Sequence, residues 1–168
     1  MVVKHNIISL DAWVKPPDFG FEYDVSVITD GSAVTKPEQL KDATIFMTAA
    51  APVTRTMLDH APNLQLVACN GTGTDHIDHD AVRDRGITLC RVPAQNTESV
   101  SEHAFALYYA LRRRILPMHQ LAMDAVEWPK VGATHFAFGR SPRTNAEETL
   151  VVIGHGAIGK LLPNTACL

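Results

Sequence analysis

Along the first ninety or so residues, short apolar runs alternate with polar, turn-rich segments. HNIISL (5–10), YDVSVI (23–28), ATIFMT (43–48), LQLVAC (64–69) and GITLCRV (86–92) have the length and apolar content of strands. Several are nearly continuous in apolar residues, which predicts strands buried on both faces of a parallel sheet. Between them, PVTRTMLDHAP and DHDAVRDRG read as short helices, the second entered at Asp78 and closed by Gly86. The connection DAWVKPPDFGFE contains Pro16, Pro17 and Gly20 and has no helical period, so it predicts an irregular crossover. Strand–helix alternation of this kind predicts a layered α/β fold with right-handed crossovers.

Pro93 ends that rhythm. NTESVSEHAFALYYALRRRI predicts a helix over 97–115, capped by Asn96 or Thr97 and favoured by Glu98 in its first turn. Val100, Ala104, Leu107, Tyr108, Leu111 and Ile115 recur at spacings of three and four and predict one apolar stripe. The cations Arg112, Arg113 and Arg114 suit the helix C-terminus. Residues 116–146 hold Pro117, Pro129 and Pro142 and predict a loop excursion, with Trp128 as its packing anchor. A last apolar run, Thr149–Ile153, predicts a strand leading into a glycine-rich loop.

Composition narrows the class. The 168 residues are 46% hydrophobic and 20% charged, enough apolar content for a buried core. A net charge of −3 carries no basic footprint for nucleic acid. Three cysteines without CxxC spacing suit a reducing compartment, and Cys69 and Cys90 are expected to be small buried hydrophobes. No apolar run approaches the roughly 20 residues of a membrane span, and the N-terminus lacks a signal-peptide pattern. The expectation is a soluble, cytoplasmic chain.

Two segments carry candidate chemistry. In GHGAIG, Gly154 permits the tight turn out of the strand, Gly156 lets backbone approach a pyrophosphate, and Gly159 lets the next helix pack closely. In CNGTGTDHID the chain turns from a strand through Gly71 and Gly73, where backbone N–H groups around Thr72 and Gly73 suit an anionic group. The crowd of Asp75, His76, Asp78, His79 and Asp80 has no convincing third ligand for a metal, and Asp78 is better used as a helix cap.

These motifs together resemble the D-isomer-specific 2-hydroxyacid dehydrogenases. The resemblance is carried by VACNGTGTDHIDHDAVRDRGITLCRVPAQNTESVSEHAFALYYALRRRI (67–115) and by ETLVVIGHGAIGK (148–160) at the distance that family requires. It implies a flavodoxin-like parallel-sheet domain over 1–94, followed by the beginning of a Rossmann-type domain over 95–168. It implies NAD or NADP as cofactor and a small 2-oxo or 2-hydroxy acid as substrate, held at Thr72 and Gly73. Val100 would lie near the nicotinamide, and Gly154, Gly156, Ala157, Ile158 and Gly159 would serve the cofactor. It also implies a homodimer through 97–145.

The arginine, glutamate and histidine that act in this family all follow the glycine loop, so the resemblance assigns no catalytic residue within the 168 residues. His76, His103 and Arg91 do not stand in for them. After Lys160 the family continues as an apolar helix, whereas LLPNTACL is expected to break at Pro163. The expectation is therefore a dehydrogenase sequence cut short within the cofactor domain and inactive as it stands. The alternatives are a non-catalytic binding or dimerisation module, or a remnant without function.

Overall fold

The first five apolar runs become five parallel strands: β1 (His5–Ser9), β2 (Tyr23–Val27), β3 (Ile45–Thr48), β4 (Leu66–Cys69) and β5 (Thr88–Arg91). Their order is β2-β1-β3-β4-β5, the flavodoxin-like arrangement. The structure is a computed structural model and describes residues 4–28, 37–132, 137, 139 and 143–166. Pro142 and Cys167 lie outside the described residues. The chain divides into two compact units, Met1–Gln95 and Asn96–Leu168.

Register in the first unit follows the two-residue period of a strand. Ile8, Phe46 and Val67 stand opposite one another across β1, β3 and β4. They share a buried cluster with Met57, Leu58 and Val82 of the helices. The alternate positions Ile7, Ile45 and Met47 form a second cluster with Val14. A one-residue slip would exchange the two sets. Burial on both faces holds for β3, where all four residues are buried. It fails for β2 and β5, whose residues are mostly exposed. These are the edge strands, with a neighbour on one side only. Cys69 on β4 is buried, whereas Cys90 on β5 is exposed, which corrects the expectation for that thiol.

The two short helices begin at side-chain caps, Asp78 as expected and Thr54 in addition. Thr54 Oγ1 accepts the Met57 N–H at 3.3 Å ahead of α1 (Arg55–Asp59). Asp78 Oδ1 accepts the Ala81 N–H at 2.8 Å ahead of α2 (His79–Asp84). Gly86 takes a left-handed φ of +64° after α2, where a side chain would be strained. The segment between β1 and β2 is irregular, and its Val14 and Phe19 pack on the second face of the sheet.

The second unit departs further from expectation. Its first helix, α3 (Thr97–Arg112), stops short of 115. Arg114 is left-handed at φ +54°, and α4 (Ile115–Met123) starts beyond it. Part of the expected loop is thus helical. Pro117 is the third residue of α4, where a backbone N–H has no acceptor within the helix, so a proline there costs no helical hydrogen bond. The buried face of α3 is also shifted by one residue: Ser101 and Phe105 are buried, while Leu107, Leu111 and Ile115 are exposed. The reason is the partner offered. Arg112 sits over the Tyr108 ring and pairs with Glu148 at 3.0 Å, and Asn145 donates to the Tyr109 hydroxyl at 2.6 Å. These bonds tie residues 145–148 to that side of α3.

Trp128 opens a short 3-10 turn, Trp128–Lys130, and is exposed, so it anchors no core. Residues 149–153 form no strand, and Ile153 is 97% exposed. A strand exists only by hydrogen bonding to a neighbour, and among the described residues this run has none. The last helix, α5 (Ala157–Ala166), runs through Pro163, where a break was expected. The proline has no N–H to donate to Gly159 O, and the helix nevertheless continues to Ala166.

Candidate functional site

In a sheet of this order the strand sequence reverses between β1 and β3. Ligands in such folds collect in the crevice outside the carboxyl ends of the strands there. In this chain the reversal point is filled from within. Asp11 lies two residues beyond β1, and its Oδ2 accepts the N–H groups of Ala49, Ala50 and Ala51 at 2.7, 3.3 and 3.3 Å. Three convergent amides are an anion cradle, and the carboxylate in it is the protein's own. Burial pushes the Asp11 carboxyl up, but those amides and the Thr48 hydroxyl outweigh burial and hold it below its ordinary value.

The next opening is the turn after β4. Its carbonyl groups are engaged one after another. Gly71 O accepts the Val92 N–H at 3.0 Å, and Thr72 O accepts Arg91 Nη1 at 2.8 Å. Gly73 O accepts the Cys69 thiol at 3.4 Å, and Thr74 O accepts the Ile77 N–H at 3.1 Å. The Thr72 hydroxyl donates to Val92 O at 3.1 Å. The turn is thereby laced to the end of β5, with Thr72 and Gly73 at its apex. Burial pushes the Cys69 thiol up, which suits the neutral donor seen here rather than a nucleophile.

Beside this turn lies a cleft of about 280 Å³, lined among others by Lys15, Met47, Cys69, Asn70, Cys90 and Arg91. Its walls are the ends of β3, β4 and β5 and the crossover that follows β1. Of the DHIDHD side chains, His76 Nε2 lies 3.9 Å from the Cys69 sulfur and the Asp75 carboxylate lies beside Gly73. Asp78 caps α2, Asp80 pairs with Arg83 at 2.5 Å, and His79 Nε2 lies 3.0 Å from Thr74 O. Among the described residues no three His, Cys, Asp or Glu side chains gather as a metal site.

In the second unit the glycine loop has the conformation its spacing predicts. Gly154 is left-handed at φ +99°. A Cβ on Gly159 would collide with the Gly154 carbonyl oxygen, so only glycine fits where α5 crosses the preceding turn. A Cβ on Gly156 would meet nothing. Ala157 and Ile158 open α5, and the Lys160 N–H donates to Gly156 O at 3.0 Å. Val100 stands exposed in the first turn of α3. The structure thus gathers Val100 and the glycine loop in one unit, and Thr72 and Gly73 in the other.

Comparison with known proteins identifies the lineage. Residues 15–161 match the model of the D-isomer specific 2-hydroxyacid dehydrogenase catalytic domain. The chain belongs to the D-isomer-specific 2-hydroxyacid dehydrogenase family. It is 34% identical over 161 residues to a glycerate dehydrogenase of Methylorubrum extorquens, covering 94% of this chain and 49% of that protein. It is 29% identical over 163 residues to a formate dehydrogenase of Candida boidinii, covering 94% and 44%. The structure resembles D-lactate dehydrogenase from Aquifex aeolicus complexed with NAD and lactic acid, with a TM-score of 0.74 at 24% identity. That likeness covers 97% of this chain and 48% of that one. The chain spans about half the length of the curated relatives it matches.

Sequence reasoning missed Asp11 and Lys15 and passed over Arg91. The signal for Asp11 was an acid just after a strand, but its amide partners lie almost forty residues away and only the fold joins them. Arg91 was set aside as a replacement catalyst; its role here is to hold the Thr72 carbonyl.

Proposed function

We propose that these residues form the substrate-binding half, and the entry to the cofactor-binding half, of an NAD(P)-dependent dehydrogenase acting on a small 2-oxo or 2-hydroxy acid. The observation that carries this reading is the Thr72–Gly73 turn. Its carbonyls are committed to the protein, and Asn70 at its start lines an open cleft at the carboxyl ends of the strands. In this reading the Thr72 and Gly73 amides hold the substrate carboxylate. Gly156, Ala157 and Ile158 hold the cofactor phosphates at the start of α5, with Gly154 and Gly159 shaping the loop and Val100 beside the nicotinamide. The fit rests on Gly159, where a side chain is excluded by the backbone of the loop itself. When bound, the cofactor would exchange hydride with C2 of the acid, and these residues would bind and orient that acid.

The division into a substrate domain over 1–94 and a cofactor domain over 95–168 belongs to the same proposal. So does a homodimer built through 97–145, for which the exposed Leu107, Leu111 and Ile115 provide apolar surface. Free thiols at Cys69 and Cys90 fit a reducing, cytoplasmic setting. No described helix is long and apolar enough to cross a membrane.

The test is an NADH-oxidation assay of the 168-residue chain with glyoxylate and hydroxypyruvate, alongside NMR of its backbone amides. The reading expects oxalate, an inert 2-oxoacid mimic, to shift Thr72 and Gly73 without any turnover. Turnover would overturn the expectation that these 168 residues hold no acid–base catalyst. Unshifted amides would overturn the binding reading.

A further inference from the structure

Among the described residues that line the cleft, the charged side chains are Lys15 and Arg91, both cationic. Of the acids close to Cys69 in its wall, Asp11 is taken up by its three amides, and Asp75 lies beside Gly73. Both cations stand on fixed backbone. Val14 is buried, its carbonyl accepts the Ser9 hydroxyl at 2.7 Å, and Pro16 and Pro17 follow. A residue before proline is confined to extended conformations, so the stem of Lys15 leaves the backbone in a set direction. The Arg91 guanidinium is oriented by its bond to Thr72 O at 2.8 Å. One nitrogen is spent there and the rest of the planar fork is left to the cleft.

A monoanionic acid with its carboxylate on the Thr72–Gly73 amides has no use for two further cations. We infer that this cleft selects a 2-hydroxy or 2-oxo acid carrying a second anionic group, carboxylate or phosphate, which Lys15 and Arg91 meet together. This rests on the reading of the Thr72–Gly73 turn as the carboxylate site and adds the substrate class to it.

The test compares pairs that share their C2 chemistry: D-malate against D-lactate, and 3-phospho-D-glycerate against D-glycerate. Each is titrated into the 168-residue chain and followed at the Thr72 and Gly73 amides. The expected result is at least about tenfold tighter binding of the dianion in one or both pairs, since charge-assisted bonds carry the difference. The preference should weaken in salt and fall toward unity in Lys15→Gln and in Arg91→Gln. Preference in the malate pair alone assigns a carboxylate, and preference in the phosphoglycerate pair alone a phosphate. Equal binding within both pairs overturns the inference and leaves the carboxylate site standing. Silence of both amides with all four acids overturns both.

Discussion

The two units of this chain treat similar sequence material in opposite ways. Residues 1–95 contain short strands with weak individual patterns, and nearly all their large apolar side chains on the three inner strands are buried. Residues 96–168 contain the strongest patterns in the chain, a sixteen-residue helix and the TLVVI run. Yet Phe105 is the one buried large apolar side chain among their described residues. Leu111 is 79% exposed and Ile153 97%. The difference lies in what each pattern meets. Five strands supply one another with hydrogen-bond partners and with two faces for side chains to cover. A helix stripe or a lone strand sequence holds the potential to bury surface, and realises it only against a partner.

The sharpest way to break this comparison is to damage the sheet. Phe46 is fully buried between the strands flanking β3 and the helices. Phe46→Ala should cost about 3–5 kcal/mol, read by urea denaturation, and should abolish slow amide exchange across β1, β3 and β4. A loss below about 1 kcal/mol would mean that the first unit is less tightly packed than its geometry indicates.

Next comes the Asp11 cradle, which joins the ends of β1 and β3. Asp11→Ala leaves three amides without their acceptor and should cost about 1–3 kcal/mol. The native carboxyl titrates below its ordinary value, so its stabilising contribution is complete at neutral pH. That contribution is lost as pH falls through the ordinary carboxylate range to the lowered native value. Asp11→Asn keeps an acceptor oxygen, so it should lose less at pH 7 and show a flatter stability profile between neutral and strongly acidic pH. Parallel profiles for wild type and Asp11→Asn would remove the charge from the account.

The smallest effect sharpens the other side of the comparison. Ile153→Ser exchanges a side chain in water for a polar one and should change the stability of this chain by no more than about 0.5 kcal/mol. A large loss would show that residues 149–153 are covered after all. Both the Phe46 and Ile153 changes are measured in the same 168-residue chain, so their ratio tests the contrast directly.

Local chemistry was legible where one residue satisfies another a few positions away. Asp78 caps its helix, Gly86 closes α2, and Gly154 and Gly159 occupy positions that a side chain would strain or block. The misreadings share a different origin. Arg113-Arg114 looked like the tail of one helix and is the break between two. Pro117 looked like a loop signal and sits in the permissive first turn of α4. Cys90 looked apolar and buried, and lies on an edge strand.

For the site, the glycine spacing and the NGTG turn named their own positions in the sequence. The lining of the cleft did not, because Lys15, Cys69 and Arg91 come from three separate parts of the chain. The sequence alone determined the parallel α/β class, the positions of the five sheet strands, the cap of α2 and the glycine loop. The cap and the loop rest on steric limits and hydrogen bonds within a few residues, and the class and strands on the apolar patterning of each run. Only the tertiary structure decided which strands are edges, which face of α3 is covered and which anion fills the Ala49–Ala51 cradle. It also decided which cations border the cleft. Those outcomes depend on which distant surfaces meet, and no local pattern contains that information.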